Sequence, residues 1–150
     1  MIRFSRRTDY GFMAIRHLAM QPAGSYCCAR EIARKHGIPQ ALTAKLLQRL
    51  ARRGLVASHH GTKGGYQIAR PASQITLREV VEAIEGPCGL TDCLASDRCD
   101  CPHLGTCTVQ EPLVAVHRQI AAVLEGTTLE ALAGLPADRR PVRAANGRRR

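Results

Sequence analysis

The sequence has no tryptophan, two phenylalanines and three tyrosines, so aromatics make up 3 % of its 150 residues. Its core must therefore be aliphatic, built from Leu, Ile, Val and Ala. Long apolar runs are also missing, and none approaches the ~20 residues that span a bilayer. The opening MIRFSRRTDYGF lacks the apolar stretch of a secretory leader, so a cytoplasmic protein without membrane partners is expected. Disulfides rarely persist there. Cysteine is plentiful by contrast, but seven is an odd count and no two form a Cys-x-x-Cys pair. Full internal pairing is excluded, and a dithiol redox motif is absent. The six histidines are scattered and complete no Cys/His/Asp set, so an enzyme is not expected.

Acidic residues are scarce only in places. Residues 1–70 hold 13 Lys/Arg against 2 Asp/Glu, a net of +11. Residues 71–137 carry −6 and residues 138–150 carry +5. A basic first half beside an acidic second half points to a nucleic-acid-binding module joined to a different unit.

Hydrophobic spacing predicts a mainly α fold with a small β-hairpin. The first helix is expected over 8–20, with Met13, Ala14, His17 and Leu18 on one face. Two further helices, 28–36 and 39–53, flank the tight link HGIP and read as a helix-turn-helix. LVASHHGTKGGYQIAR then reads as two strands around a glycine-bracketed reversal, which makes the unit a winged helix-turn-helix. The Gly64–Gly65 pair is expected to supply backbone angles closed to other residues. Thr76 and Glu79 have capping-box spacing, with Ile75 placed to staple against Val80. A long helix from about Glu111 to Glu125 places Leu113, Val116, Ile120 and Val123 in an a/d pattern over two heptads. That pattern suits either a partner helix or the protein's own core. Residues 1–86 thus read as a DNA-binding domain and 87–108 as a cysteine-rich loop. Residues 109–137 read as a dimerisation helix with a short terminal helix, and 138–150 as a disordered basic tail.

Candidate DNA contacts follow from the motif. Early positions of the second motif helix, Gln40, Ala41, Thr43, Ala44 and Lys45, are expected to face base edges in the major groove. Arg49, Arg52 and Arg53 suit phosphates, as do Arg6, Arg7 and Arg30. The wing offers His59, His60, Thr62 and Lys63 to the minor groove or backbone.

GLTDCLASDRCDCPHLGTC, residues 89–107, holds four of the seven cysteines. Such a loop suits an iron–sulfur cluster, whose ligands are thiolates. Zinc remains an alternative, although the usual short-spaced pairs are missing. A metal-free thiol switch and an iron–sulfur electron carrier are further alternatives. The carrier leaves the basic winged helix without a purpose.

The stretches FSRRTDYGFMAIRHLA, REIARKHGIPQALTAKLLQRLARRGLVASHHGTKGGYQIARP and ITLREVVEAIEG, with the loop's three-cysteine pattern, resemble the IscR-type regulators. These form the Rrf-two family of winged-helix transcription factors, and the resemblance spans about residues 1–135. It implies a homodimer with crossing C-terminal helices, a double-stranded DNA operator, and control of iron–sulfur assembly or of iron and stress genes. It also implies a 4Fe-4S or 2Fe-2S cluster on Cys93, Cys101 and Cys107, with Cys99 as a second choice for the middle ligand. Gln110 stands where IscR-type members carry a ligand histidine. Asp9 matches an aspartate that nitric-oxide-sensing relatives supply from the partner chain; Glu111, His103 and Cys99 are rivals for that fourth position. His60 replaces the usual wing arginine.

Overall fold

A computed structural model describes residues 3–61, 64–95, 101–103 and 105–134. The first helix, α1 (Arg6–Ala19), starts where the Ser5 hydroxyl accepts from the backbone N–H of Arg7 at 3.2 Å and of Thr8 at 3.4 Å. Its inner face is Thr8, Gly11, Ala14, Ile15, His17 and Leu18. Met13, expected inside, lies off that stripe and is 40 % exposed.

α2 (Ala29–His36) is capped by Cys28, whose N–H donates to Glu31 Oε2 at 2.9 Å. It ends at Gly37, in the left-handed region at φ 65°. Ile38 is buried in the link, and α3 (Gln40–Arg52) follows with Leu46, Leu47 and Leu50 fully inside. α2 and α3 are the helix-turn-helix read from the sequence, with α1 packed behind them.

The wing pairs β1 (Val56–His59) antiparallel with β2 (Gly65–Ile68), in the register Val56 to Ile68 and His59 to Gly65. Its glycines differ from the expectation. Only Gly61 uses a positive φ, 133°. Gly64 and Gly65 are needed for space instead. A Cβ on Gly64 would stand 2.4 Å from the His59 carbonyl oxygen, and one on Gly65 2.7 Å from that of Cys27. Cys27 and Tyr66 exchange two backbone hydrogen bonds of 3.0 and 2.9 Å, which fasten the wing to the entrance of α2. Gly65→Ala is therefore expected to lower stability by about 1–3 kcal/mol, because backbone cannot yield as a side chain would. Urea unfolding checks this, and an unchanged midpoint would contradict it.

A 3₁₀ turn (Ala72–Gln74) leads to α4 (Leu77–Glu85). The capping box forms, with the Thr76 N–H donating to Glu79 Oε2 at 2.9 Å and the Glu79 N–H to Thr76 Oγ1 at 3.2 Å. α5 (Asp92–Ala95) is a single turn within the cysteine loop, and α6 (Gln110–Gly126) is the long helix. The chain then returns. Leu77 N–H donates to the Thr127 carbonyl at 2.9 Å, and Leu129 N–H to that of Ile75 at 2.8 Å. The last helix, α7 (Leu129–Gly134), thus joins the winged-helix head, with Leu129 fully buried. The tail 138–150 lies outside the described residues.

The core is aliphatic throughout, centred on Ile15, Leu18, Ile32, Leu46, Leu47, Leu50, Ile75, Val80 and Ile84. α6 stands apart from it, with no buried residue. Val116 is 46 % and Val123 67 % exposed, while Leu113 and Ile120 are half-buried. Among the described residues, no helix is long and apolar enough to cross a membrane.

Candidate DNA interface and cysteine loop

α3 exposes Gln40, Ala41 and Lys45 along its first turns, and Arg52 and Arg53 at its end. Thr43 is corrected: it is fully buried, and its hydroxyl donates to the Pro39 carbonyl at 3.2 Å. The reason is geometric. Position 43 lies three and four residues before Leu46 and Leu47, on the face that enters the core. Ala44 is half-buried. Arg49 is exposed, but its guanidinium donates to the backbone carbonyl of Ile84 at the end of α4. The expected phosphate ligand is therefore engaged inside its own chain.

Arg6 and Arg7 are exposed on the first turn of α1, and Arg30 on that of α2. His60 is exposed just past β1, whereas Thr62 and Lys63 lie outside the described residues. The ring of Tyr26 lies 4.8 Å from that of His59, a wing support that the sequence did not signal.

Behind this surface α1 and α2 share a histidine pair. The Gln21 amide nitrogen lies 3.3 Å from His17 Nε2, and His17 Nδ1 lies 3.3 Å from His36 Nε2. With Gln21 donating, His17 keeps its proton on Nδ1 and passes it towards His36, so both rings are satisfied when neutral. Burial, then the charge of Lys35, lowers both pKa values below the ordinary 6.5. His17 also feels His36 and Glu31, and His36 feels Arg16. The unfolded chain binds more protons in this window, so stability is complete above about pH 6.5 and declines as pH falls below it. Glu79 and Glu85 have lowered pKa values, so their losses begin only below about 4.5. Urea midpoints at pH 7.5 and 5.5 should differ in wild type and differ less in His36→Gln. Equal differences would refute the role of the pair.

α4 delivers the chain into the cysteine loop, and α6 carries it away. Cys93 sits on α5, its Sγ 3.1 Å from Thr91 Oγ1. Cys93, Cys101 and Cys107 are half-buried and free of disulfides. Cys99 lies outside the described residues. Cys88 is half-buried as well, and burial followed by the Glu82 charge pushes its thiol up, away from the thiolate a metal needs. Burial, then Glu31, does the same to Cys27. A hollow of about 570 Å³ is bounded by Cys107, Gln110, Glu111 and Arg118. His103 and Glu111 are exposed, as is Asp9 on the first turn of α1. Three accessible thiols on one loop fit an iron–sulfur group by donor chemistry. Among the described residues, no three His, Cys, Asp or Glu side chains already converge on one point.

A winged helix-turn-helix head, with an exposed polar and basic recognition helix, defines a DNA-binding regulator. The profile of the Rrf2 family, described as an iron-dependent transcriptional regulator, matches residues 4–134, and the chain belongs to that family. It is a family of regulators rather than enzymes. The chain is 34 % identical over 133 residues to protein aau3 of Rhizobium meliloti (strain 1021), covering 87 % of this chain and 84 % of that one. It is 33 % identical over 138 residues to a Mycobacterium tuberculosis protein named as an HTH-type transcriptional regulator, covering 89 % and 82 %. Among solved structures, CymR, the global cysteine regulator of B. subtilis, superposes with a TM-score of 0.71 at 26 % identity, covering 89 % and 97 %. T. potens IscR superposes at 0.66 and 24 %, covering 87 % and 85 %, a likeness of fold.

Proposed function

We propose that this regulator works as a homodimer on an operator duplex, and that an iron–sulfur cluster in the cysteine loop sets its affinity. The observation that carries this is the loop itself. Cys93, Cys101 and Cys107 are free, accessible thiols on the segment that leads from α4 of the DNA-binding head into α6. The partner subunit's Asp9 is the proposed fourth ligand. Such a cluster, when bound, supplies an inorganic link between the thiols that oxygen, nitric oxide or iron shortage removes. Gln40, Ala41 and Lys45 are the proposed base-reading positions. Arg6, Arg7, Arg30, Arg52 and Arg53 are the proposed phosphate ligands, and His60 with Thr62 and Lys63 the proposed wing contacts. α6 is the proposed subunit seam, with Val116 and Val123 one heptad apart on it.

Anaerobic purification followed by iron and sulfide analysis tests the reading, with duplex binding measured before and after the cluster is stripped. Bound iron and sulfide, with an affinity that changes on stripping, are expected. A protein free of both, with unchanged binding, would sink it. A metal-free thiol switch is the second reading, which the free thiols on the loop also permit. Under that reading iron-free protein shifts its DNA affinity on exposure to a disulfide oxidant. Zinc instead gives a colourless, metal-containing protein.

A further inference from the structure

Ile84, in the last turn of α4, touches two parts of the DNA-binding head at once. Its side chain is buried against α1, so tightly that a Cβ on Gly11 would stand 2.0 Å from Ile84 Cδ1. Its carbonyl oxygen accepts from the Arg49 guanidinium of α3. That carbonyl belongs to the last turn of a helix, where acceptors lack intrahelical partners and the helix dipole favours a cation. The next residue, Glu85, accepts from the hydroxyls of Ser5 and Thr8 at the start of α1. Gly86 ends α4, and the chain passes through Pro87 and Cys88 into the cysteine loop. Two consecutive residues at the loop's entrance, Ile84 and Glu85, thus hold both the recognition helix and the first helix of the head.

We propose that Arg49 is a positioning residue that carries the state of the cysteine loop to the recognition helix through the Ile84 carbonyl. In this role it is not a ligand of DNA phosphate. The proposal rests on the functional reading above and extends it to a route. Displacement of the loop entrance moves the Ile84 carbonyl, and the rigid guanidinium fork obliges the end of α3 to follow. A lysine keeps the charge but replaces that planar fork with a single flexible point donor.

The test uses the full chain as wild type, Arg49→Met and Arg49→Lys. The probe is a duplex of about 30 base pairs, selected from a random pool by wild-type protein purified anaerobically. Affinity is measured at several salt concentrations for the cluster-loaded and stripped forms. Wild type is expected to show a coupling in the usual range of about 5–150-fold between the forms. Arg49→Met should bring that ratio to within about twofold of one, with the salt slope unchanged, and Arg49→Lys should restore less than half of the ratio. A phosphate ligand behaves otherwise: Arg49→Met would weaken both forms equally, lower the salt slope by about 0.9 per chain, and be rescued by lysine. That pattern would overturn the proposal.

A second arm needs no cluster. If the route exists, duplex binding to stripped protein shifts the loop entrance and should change the maleimide labelling rate of Cys88, two residues beyond Gly86. Mass spectrometry assigns the label. The change is expected in wild type and should vanish in Arg49→Met, with circular dichroism confirming that the variant is folded. No change in wild type, or an equal change in the variant, refutes the route. Loaded and stripped wild type that bind alike count against the cluster reading, and the labelling arm then decides the route alone.

Discussion

Replacing Val116 and Val123 with glutamate is expected to convert the proposed dimer to a monomer and weaken operator binding by about 10²–10⁴-fold. That is the range lost when two linked binding modules become independent. Both side chains are largely exposed on a helix with no fully buried residue, so the substitutions leave the head's core intact. Across the proposed symmetric seam they bring four carboxylates together, and the apolar area that would hold the subunits is lost. Sedimentation velocity should show one species at half the wild-type mass, with an unchanged thermal transition at low protein concentration. A variant that sediments and binds like wild type would remove this face of α6 from the interface.

The second large effect concerns the thiols. Replacing Cys93, Cys101 and Cys107 together with alanine should abolish visible absorbance, iron and acid-labile sulfide. Duplex affinity should shift at least tenfold, about 1.4 kcal/mol, towards the value of stripped wild-type protein. Cys88→Ala serves as the control, because its thiol is held in the neutral form and outside the proposed set. Single changes at Cys99 and Cys101 decide the middle ligand: only the true ligand should reproduce the loss. A triple variant that keeps its colour and its affinity would place the cofactor elsewhere or nowhere.

The order of elements was legible because each carries a local signal. Gly37 and the Thr76–Glu79 box mark helix ends, and the leucines at 46, 47 and 50 mark an inner face. Thr43 was legible too, since it shares their spacing, but its hydroxyl invites assignment to the surface. The structure satisfies that hydroxyl within the helix, at the Pro39 carbonyl. Arg49 was not legible. Its partner is a backbone carbonyl 35 residues away, and no side-chain pattern announces a carbonyl. The Gly64–Gly65 pair was read as supplying unusual backbone angles, whereas it supplies space, because the obstruction at Gly65 comes from Cys27, a distant part of the chain. The return of α7 was hidden for a similar reason: Thr127–Leu129 pair with Ile75–Leu77 through backbone alone. The thiols of the cysteine loop stand out by composition, whereas their meeting point depends on the partner chain and on what they bind.

That return has a mechanical consequence. Because Thr127–Leu129 are stitched to Ile75–Leu77, the far end of the 17-residue α6 is clamped to the body that reads DNA. The helix is about 25 Å long, so it works as a rigid boom with the reading head at its tip. In the proposed dimer, a tilt of about 20° at a crossing between Val116 and Val123, about 10 Å from that clamped end, would carry each head roughly 3.5 Å, comparable with the ~3.4 Å separating neighbouring bases on a strand. A modest change of crossing angle is therefore enough to put the two heads out of step with their half-sites, without melting any part of either one.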